Sequence, residues 1–304
     1  MYTRTPADWR ETNRARWDVG ASPAGGRGSV PIHTAGEYYD LESFRAGQDV
    51  IRPFEAAEVG SVTGKSLLHL QCHLGLDTLS WALRGASRVV GLDFSEPAVD
   101  AARELAADLG LPPDRASFVA ADVYDAAEAV PDSAYDIVYT GTGALCRLPD
   151  IVRWAETAAS LVAPGGFLYL AEFHPLTDAL DDESGSRIAH DYFTRDAWVD
   201  EVPGTYADFD ALTVNNRSVW GHLPAEGWGR AHTLGDVVTA IAATGLRLEF
   251  LHEHDATLFQ RFGTLERNGQ GSSGRGDGFY RHPAGTPRVP LMYSLRASRA
   301  PDLP

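Results

Sequence analysis

The sequence has only two cysteines, Cys72 and Cys146, among its 304 residues. Two thiols cannot build a disulfide framework or a cysteine-rich zinc site, so we expect both to be reduced. Long hydrophobic runs are also missing. No stretch approaches the roughly 18 apolar residues of a membrane-spanning helix, and residues 1–17 are polar and charged without a hydrophobic signal core. The sequence therefore predicts a cytoplasmic protein without a membrane partner.

Positive charge is scarce as well. The chain has 26 Lys and Arg residues against 42 Asp and Glu residues, a formal net charge of −16 at pH 7. A field of that sign repels nucleic-acid phosphates, so we expect no nucleic-acid partner. The hydrophobic fraction of 44% is that of an ordinary globular protein, and 304 residues suit one large domain with an insertion. We predict a single domain that acts as a monomer or homodimer.

Internal repeats and heptads are absent, and short apolar runs instead alternate with helical patterns. The runs predict five strands, at 66–71, 88–93, 117–122, 135–139 and 167–173. The stretches between them predict helices at about 76–84, 95–109 and 149–162. Such units in series predict a doubly wound (Rossmann-like) α/β fold, in which helices cover both faces of a parallel sheet.

The flanking segments complete the predicted domain, residues 1–304. Its predicted parts are a helical cap at 1–62 with helices at 6–18 and 41–59, a core at 63–174, an inserted β-rich lid at 175–232, and a terminal helix and strands at 233–304. A capping box at Thr233-Leu-Gly-Asp236 begins the terminal helix. A strand at 246–252 and a final antiparallel strand at 291–297 follow it. The sheet is then expected to have seven strands.

The residues that close the first three strands are polar. Strand one ends in His69-Leu-Gln-Cys-His-Leu-Gly75, strand two in Asp93 and strand three in Asp122. A ligand of a doubly wound sheet binds at these carboxyl ends. An acidic residue 18 positions after Gly75 is placed to accept both hydroxyls of a ribose, and Asp122 with the Val123 amide is placed to read an adenine edge. The spacing predicts an adenosine site.

From about Thr63 to Pro175 the chain resembles the class I S-adenosylmethionine-dependent methyltransferases, with a looser match as far as Ala297. The first turn of that family usually reads acidic-x-Gly-x-Gly-x-Gly. The matching residues here are His69, Gln71, His73 and Gly75, so only the last glycine is kept. Further matches are the ribose-binding acid at Asp93, the adenine-side acid at Asp122, the fourth strand at 135–139 and the turn at 161–168. The degenerate turn is similar to that of a bacterial small-molecule branch of the family.

The resemblance implies S-adenosylmethionine as cofactor. It implies a cofactor site formed by His69, Gln71, Gly75, Asp93, Phe94, Asp122, Val123 and Thr140. His69 stands where the family keeps an acid that orients the methionine amine, and both a pocket histidine and a packed structural histidine are open. Nicotinamide dehydrogenases share the strand order but need glycines for backbone amides to approach a pyrophosphate, and Gln71 and His73 obstruct that approach. The sequence thus disfavours a dehydrogenase.

The reaction that the resemblance implies is an in-line displacement at the sulfonium methyl, accelerated by alignment in a dry site. A base is needed only where the acceptor carries a proton. Glu172 and His174 close strand five, and alternation places both on the face toward the acceptor, so we predict them as the catalytic residues. A rim histidine bonded to backbone is the alternative for His174. Tyr38 and Tyr39 are predicted to close over the methionine tail or the acceptor, unless one packs in the core and the other is exposed.

The surroundings of the site indicate the acceptor. The loop after strand four, Thr140-Gly-Thr-Gly143, lacks the Asn/Asp-Pro-Pro-Tyr motif of the adenine and glutamine-amide N-methyltransferases, which disfavours those substrates. Lid aromatics, among them Trp198 and Trp220, are predicted to wall a planar or cationic acceptor, or else to form the lid's own core. The histidines lack zinc-site spacing, so we expect no metal site.

We therefore expect a methyltransferase that uses S-adenosylmethionine and a small-molecule acceptor. The acceptor expected is an aromatic or nitrogen-containing natural product, such as an indole derivative, methylated at nitrogen or carbon. O-methylation of a phenol or carboxylate, with a base such as His174, is the alternative within the enzyme class. A non-catalytic S-adenosylmethionine-binding sensor is the alternative outside it, and a dehydrogenase ranks third.

Overall fold

A computed structural model gives the fold of the chain and describes residues 6–21, 40–194, 198–200, 227–229, 232–268 and 278–302. The predicted substrate residues Tyr38, Tyr39 and Trp220 lie outside these ranges. Of Trp198 only the backbone is described. No helix within the described ranges is long and apolar enough to cross a bilayer.

Seven strands form the main sheet. They are β1 (Ser66–Leu70), β2 (Arg88–Asp93), β3 (Ala116–Ala120), β4 (Tyr135–Thr140), β5 (Val162–Phe173), β8 (Arg247–His254) and β12 (Met292–Ser298). Their order is β3-β2-β1-β4-β5-β12-β8. The first five strands run parallel, and β12 is antiparallel to both β5 and β8. The predicted doubly wound, seven-stranded sheet with a final antiparallel strand is confirmed.

Each parallel strand of this sheet packs against apolar groups on both faces. In β1, Leu67 points into one core cluster with Trp81, and its neighbour Leu68 points into a second cluster with Trp154. Successive side chains of a strand point to opposite faces, so a strand covered on both sides reads as a continuous apolar run. This is why the sequence pattern of the parallel strands is easy to recognise.

Nine helices are found in the described ranges. They are α1 (Pro6–Ala21), α2 (Leu41–Arg45), α3 (Pro53–Val59), α4 (Leu76–Leu83), α5 (Glu96–Asp108), α6 (Ala126–Ala129), α7 (Ile151–Ser160), α8 (Leu176–Ala179) and α9 (Leu234–Ala243). The predicted single helix over 41–59 is wrong, because Gly47 takes a φ of 101° after α2 and Pro53 begins a separate helix. The predicted capping box at Thr233 and Asp236 is present at the start of α9.

The remaining strands are short and lie apart from the main sheet. They form the hairpin β6 (Trp198–Asp200) with β7 (Gly227–Gly229), and a three-stranded sheet of β9 (Ala256–Thr257), β10 (Glu266–Asn268) and β11 (Phe279–Arg281). In the predicted lid, the described residues form α8, the β6–β7 hairpin and an isolated bridge between Leu180 and Ile188. The three-stranded sheet escapes sequence analysis because strands of two or three residues carry no period-2 pattern.

Candidate active site

A cavity of about 350 Å³ opens at the carboxyl ends of β1, β2, β4 and β5. Its wall is built from the turn at 71–77, the pair 93–94, the loop at 141–147, and the segment that follows β5. This is the edge of the sheet where the polar strand ends predict a ligand site.

The turn after β1 keeps the backbone path of a glycine turn without the glycines. Gln71 has a φ of 60° and His73 a φ of 50°, both in the left-handed region that favours glycine. Side-chain contacts hold this conformation. Gln71 Nε2 donates to the carbonyl oxygen of Ala144 at 3.1 Å, and the His73 amide donates to Asp93 Oδ2 at 2.8 Å. The turn is thereby tied to the ends of two neighbouring strands.

Asp93 lies at the centre of this arrangement. Its two carboxylate oxygens accept hydrogen bonds from the His73 and Ser95 amides, at 2.8 and 3.0 Å. Burial raises the pKa of the Asp93 carboxyl to about 6, although these hydrogen bonds act in the opposite direction. Asp93 and Phe94 both line the cavity. A buried carboxylate there is available to a ligand that brings hydroxyl donors.

The structure brings five of the eight predicted cofactor residues to the cavity wall, namely His69, Gln71, Gly75, Asp93 and Phe94. Asp122, Val123 and Thr140 are not part of that wall. Asp122 instead accepts from the Tyr124 amide at 3.0 Å and pairs with Arg10 of α1 at 3.2 Å. Thr140 is fully buried.

His69 lies in the cavity wall and is almost fully buried. Its Nδ1 is 2.8 Å from the Thr78 hydroxyl, and its ring meets Tyr139 edge-on at 4.8 Å between centroids. Burial lowers the pKa of His69 to about 4, so the imidazole is neutral at neutral pH. His69 thus combines the pocket position and the structural packing that the sequence leaves open.

Arg52 is a cavity residue that sequence analysis missed. Its side chain is 4% exposed, and Nη2 donates to Glu55 at 2.8 Å, to the Tyr139 hydroxyl at 3.3 Å and to Asp77 at 3.4 Å. Such a buried guanidinium needs these partners to offset its desolvation. The sequence does hint that Arg52 is buried, because its neighbours in Val-Ile-Arg-Pro-Phe are apolar. No family motif includes this position.

Glu172 anchors the loop that follows β4. Its Oε1 accepts from the amides of Gly143 and Phe173 at 2.6 and 2.7 Å, and its Oε2 accepts from the Leu145 amide at 2.8 Å. Burial raises the pKa of Glu172 to about 7 against these three hydrogen bonds. The contacts position the loop, and a role of Glu172 as a base stays a prediction.

His174 is not placed as we expected. Strand β5 ends at Phe173, and His174 is not among the described residues that line the cavity. Its Nδ1 accepts from the Leu176 amide at 3.1 Å, so the ring proton lies on Nε2, which donates to Glu253 of β8 at 2.9 Å. The His174 ring meets Tyr293 edge-on with centroids 6.0 Å apart, and a role of His174 as a base stays a prediction. The alternative of a histidine bonded to backbone describes it correctly.

Aromatic residues form part of the cavity wall. Phe173 and Phe259 meet edge-to-face with centroids 5.0 Å apart, and Leu258, Leu291 and Tyr293 line the same cavity. Phe259 follows β9 in an irregular segment, where the sequence gives no periodicity that would assign it to the site. These residues form an apolar region of the cavity wall that sequence analysis did not predict.

The two buried carboxyls make a pH-dependent contribution to stability. Asp93 and Glu172 bind a proton more tightly in the folded state than in the unfolded chain, because burial raises their pKa values to about 6 and about 7. Stability is therefore expected to fall as pH rises from about 4 to 7, with a slope of up to about 1.4 kcal/mol per pH unit for each group. Urea unfolding of wild type and Glu172→Gln across this range should show a shallower slope in the variant. Parallel curves would contradict this assignment.

Comparison with known proteins agrees with the fold. Residues 67–166 match the family model described as a methyltransferase domain. A ribosomal RNA large subunit methyltransferase I from Photobacterium profundum is 38% identical over 92 residues, which are 30% of this chain and 21% of that protein. The chain thus spans about a fifth of the length of this curated relative.

Two solved structures share the fold. An S-adenosylmethionine-dependent methyltransferase from Mesorhizobium loti is 18% identical with a TM-score of 0.53, over 84% of this chain and 100% of that chain. Another from Clostridium acetobutylicum ATCC 824 is 10% identical with a TM-score of 0.52, over 86% of this chain and 92% of that chain. The chain is thus similar to a methyltransferase domain in sequence over residues 67–166, and it shares the fold of these two S-adenosylmethionine-dependent methyltransferases.

Proposed function

We propose that the protein transfers a methyl group from S-adenosylmethionine to a small organic acceptor that is aromatic or carries nitrogen. One observation carries this proposal. A single cavity runs from Asp93 and Phe94, at the predicted ribose position, to the aromatic wall of Phe173 and Phe259. Such continuity allows a nucleoside cofactor and a second molecule to meet in one enclosed space.

The residues present fit the cofactor. Gln71 Oε1 is buried with no hydrogen-bond partner among the described residues, in the wall of the cavity, which suits a ligand that brings an N–H donor. We assign Asp93 to the ribose hydroxyls, and His69, Gln71 and Arg52 to the amino-acid end. When bound, S-adenosylmethionine supplies an electrophilic methyl group on a sulfonium. The protein aligns the two reactants and excludes water.

The composition of the cavity wall supports a small organic molecule as the methyl acceptor. The wall is mostly apolar and aromatic, as is typical of sites for organic ligands, and the net charge of −16 opposes a nucleic-acid substrate. The ribosomal RNA methyltransferase matches this chain over 92 residues only, so its substrate is not carried over. His174 donates its Nε2 proton to Glu253 and does not line the cavity, so the alternative of O-methylation would need a base other than His174.

Calorimetric titration with S-adenosylhomocysteine tests the cofactor assignment. Asp93→Ala is expected to weaken binding by about 1–3 kcal/mol, because a ribose hydroxyl loses a charged hydrogen-bond acceptor. Asp108→Ala is the control, since Asp108 lies on the surface and pairs with Arg45 at 2.9 Å. NADH is titrated in parallel. Binding of NADH in place of S-adenosylhomocysteine, or equal affinities of the two variants, would reject the assignment.

A further inference from the structure

Another acidic residue, Asp178, lines the same cavity and has no part in the roles assigned above. It belongs to the short helix α8, which follows β5 directly, and its neighbour Thr177 lines the cavity with it. Phe173 of the aromatic wall stands five positions earlier in the chain. Asp178 therefore belongs to the same segment of the cavity wall as Phe173.

The carboxylate of Asp178 is not engaged as the other acids of the site are. No described residue donates a hydrogen bond to it, and its one ion pair within the described ranges is a long one, 3.8 Å from Arg261 Nη2. Arg261 makes closer contacts elsewhere, with Asp182 at 2.8 Å and with the Thr177 carbonyl oxygen at 3.1 Å. The Glu172 carboxylate, by contrast, accepts hydrogen bonds from three backbone amides. The Asp178 carboxylate can therefore accept further hydrogen bonds from a ligand.

The surroundings of Asp178 are concave. Its side chain is 48% accessible, yet the protein around it desolvates the carboxylate enough to raise its pKa. Both observations hold for a group in the wall of an open cavity, which faces empty space and has protein on its other sides. The charges that act on it are Arg261, Arg147 and His190, which lower its pKa, and Asp182, which raises it.

We propose that Asp178 binds the nitrogen of the methyl acceptor and receives the proton that methylation releases. This inference rests on the proposed methyl-transfer function and makes the acceptor an amine or another molecule with an N–H group. The nitrogen lone pair forms the new N–CH₃ bond while the electron pair of the breaking C–S bond stays on sulfur. The acceptor binds as its ammonium form, and one N–H proton passes to the Asp178 carboxylate and from there to water before attack, which frees the lone pair. The product leaves as the N-methylammonium. Mass and charge balance with S-adenosylhomocysteine, the N-methyl product and one proton.

The test uses benzylamine, which is protonated at neutral pH, and benzyl alcohol, its neutral counterpart of similar size. Both are titrated into protein saturated with S-adenosylhomocysteine. Wild type is expected to bind benzylamine at least about tenfold more tightly than benzyl alcohol, because only the amine pairs with a carboxylate. In Asp178→Asn this preference should fall below about threefold, while the affinity for benzyl alcohol stays the same.

Asp182→Asn is the matched control. Asp182 holds Arg261 more closely than Asp178 does, so a loss caused by releasing Arg261 would appear in this variant as well. We expect Asp182→Asn to keep the preference for benzylamine. Absence of a preference in wild type, its persistence in Asp178→Asn, or its equal loss in Asp182→Asn would overturn the inference. Failure of all three proteins to bind S-adenosylhomocysteine would instead reject the proposed function itself.

Discussion

Replacing Arg52 by methionine is expected to lower the free energy of unfolding by about 3–5 kcal/mol, because it removes one partner from a buried ion pair. Glu55 is fully buried and Asp77 nearly so, and both have Arg52 as a cationic neighbour. Their charges would remain in a site of low dielectric after the substitution. Urea unfolding monitored by tryptophan fluorescence measures the loss.

A second substitution separates the loss of Arg52 from the exposure of an unpaired charge. Arg52→Met combined with Glu55→Leu should recover about 2 kcal/mol or more, since a buried pair replaced by apolar groups is often neutral in stability. Arg84→Met is the control, because Arg84 and Asp49 form a surface pair at 2.7 Å that contributes less than about 1 kcal/mol. A similar small loss in Arg52→Met and Arg84→Met would contradict the description of the buried cluster.

Gly75→Ala is expected to destabilise the protein by about 2–5 kcal/mol, from backbone strain and overpacking together. Gly75 has a φ of 73°, and a Cβ atom there would lie 2.6 Å from the ring of Phe118 and 2.9 Å from the Cβ of Ala102. Both neighbours belong to the buried core, so neither moves easily. Thermal unfolding and calorimetric titration with S-adenosylhomocysteine should both show the effect.

Gly47→Ala separates the two contributions. Gly47 also has a positive φ, 101°, but nothing lies within 4 Å of a Cβ atom built there. This variant is expected to lose only the conformational contribution, about 1–2 kcal/mol. If the two variants lose the same amount, close packing against Phe118 adds nothing and the explanation for Gly75 is wrong.

The parallel part of the sheet was predictable because its strands are buried on both faces. Runs such as 66–71 and 88–93 carry apolar residues at successive positions, and turn residues end them clearly. The strand ends also predicted that Asp93 and Gly75 line the cavity. Asp93 is the last residue of β2, and Gly75 closes the turn that follows β1. Burial on both faces therefore determines the sheet and the residues directly attached to it.

The other site residues depend on contacts that sequence spacing does not encode. His174 stands one residue beyond the end of β5, so alternation no longer determines its direction. Arg52 enters the site from the cap, and its partners Asp77 and Tyr139 lie 25 and 87 positions away in the chain. Phe259 and Asp178 belong to irregular or single-turn segments. Tertiary packing alone brings them to the cavity.

The turn at 71–75 also bears on how proteins similar to this chain are found. Gln71 and His73 follow a left-handed backbone path that favours glycine, and contacts with Ala144 and Asp93 hold them in it. The requirement at these positions is a backbone angle, and the residue type is only one way to meet it. Searches that score glycines in this turn will therefore pass over chains that form the same site, whereas searches for a residue able to reach the neighbouring strand ends will find them.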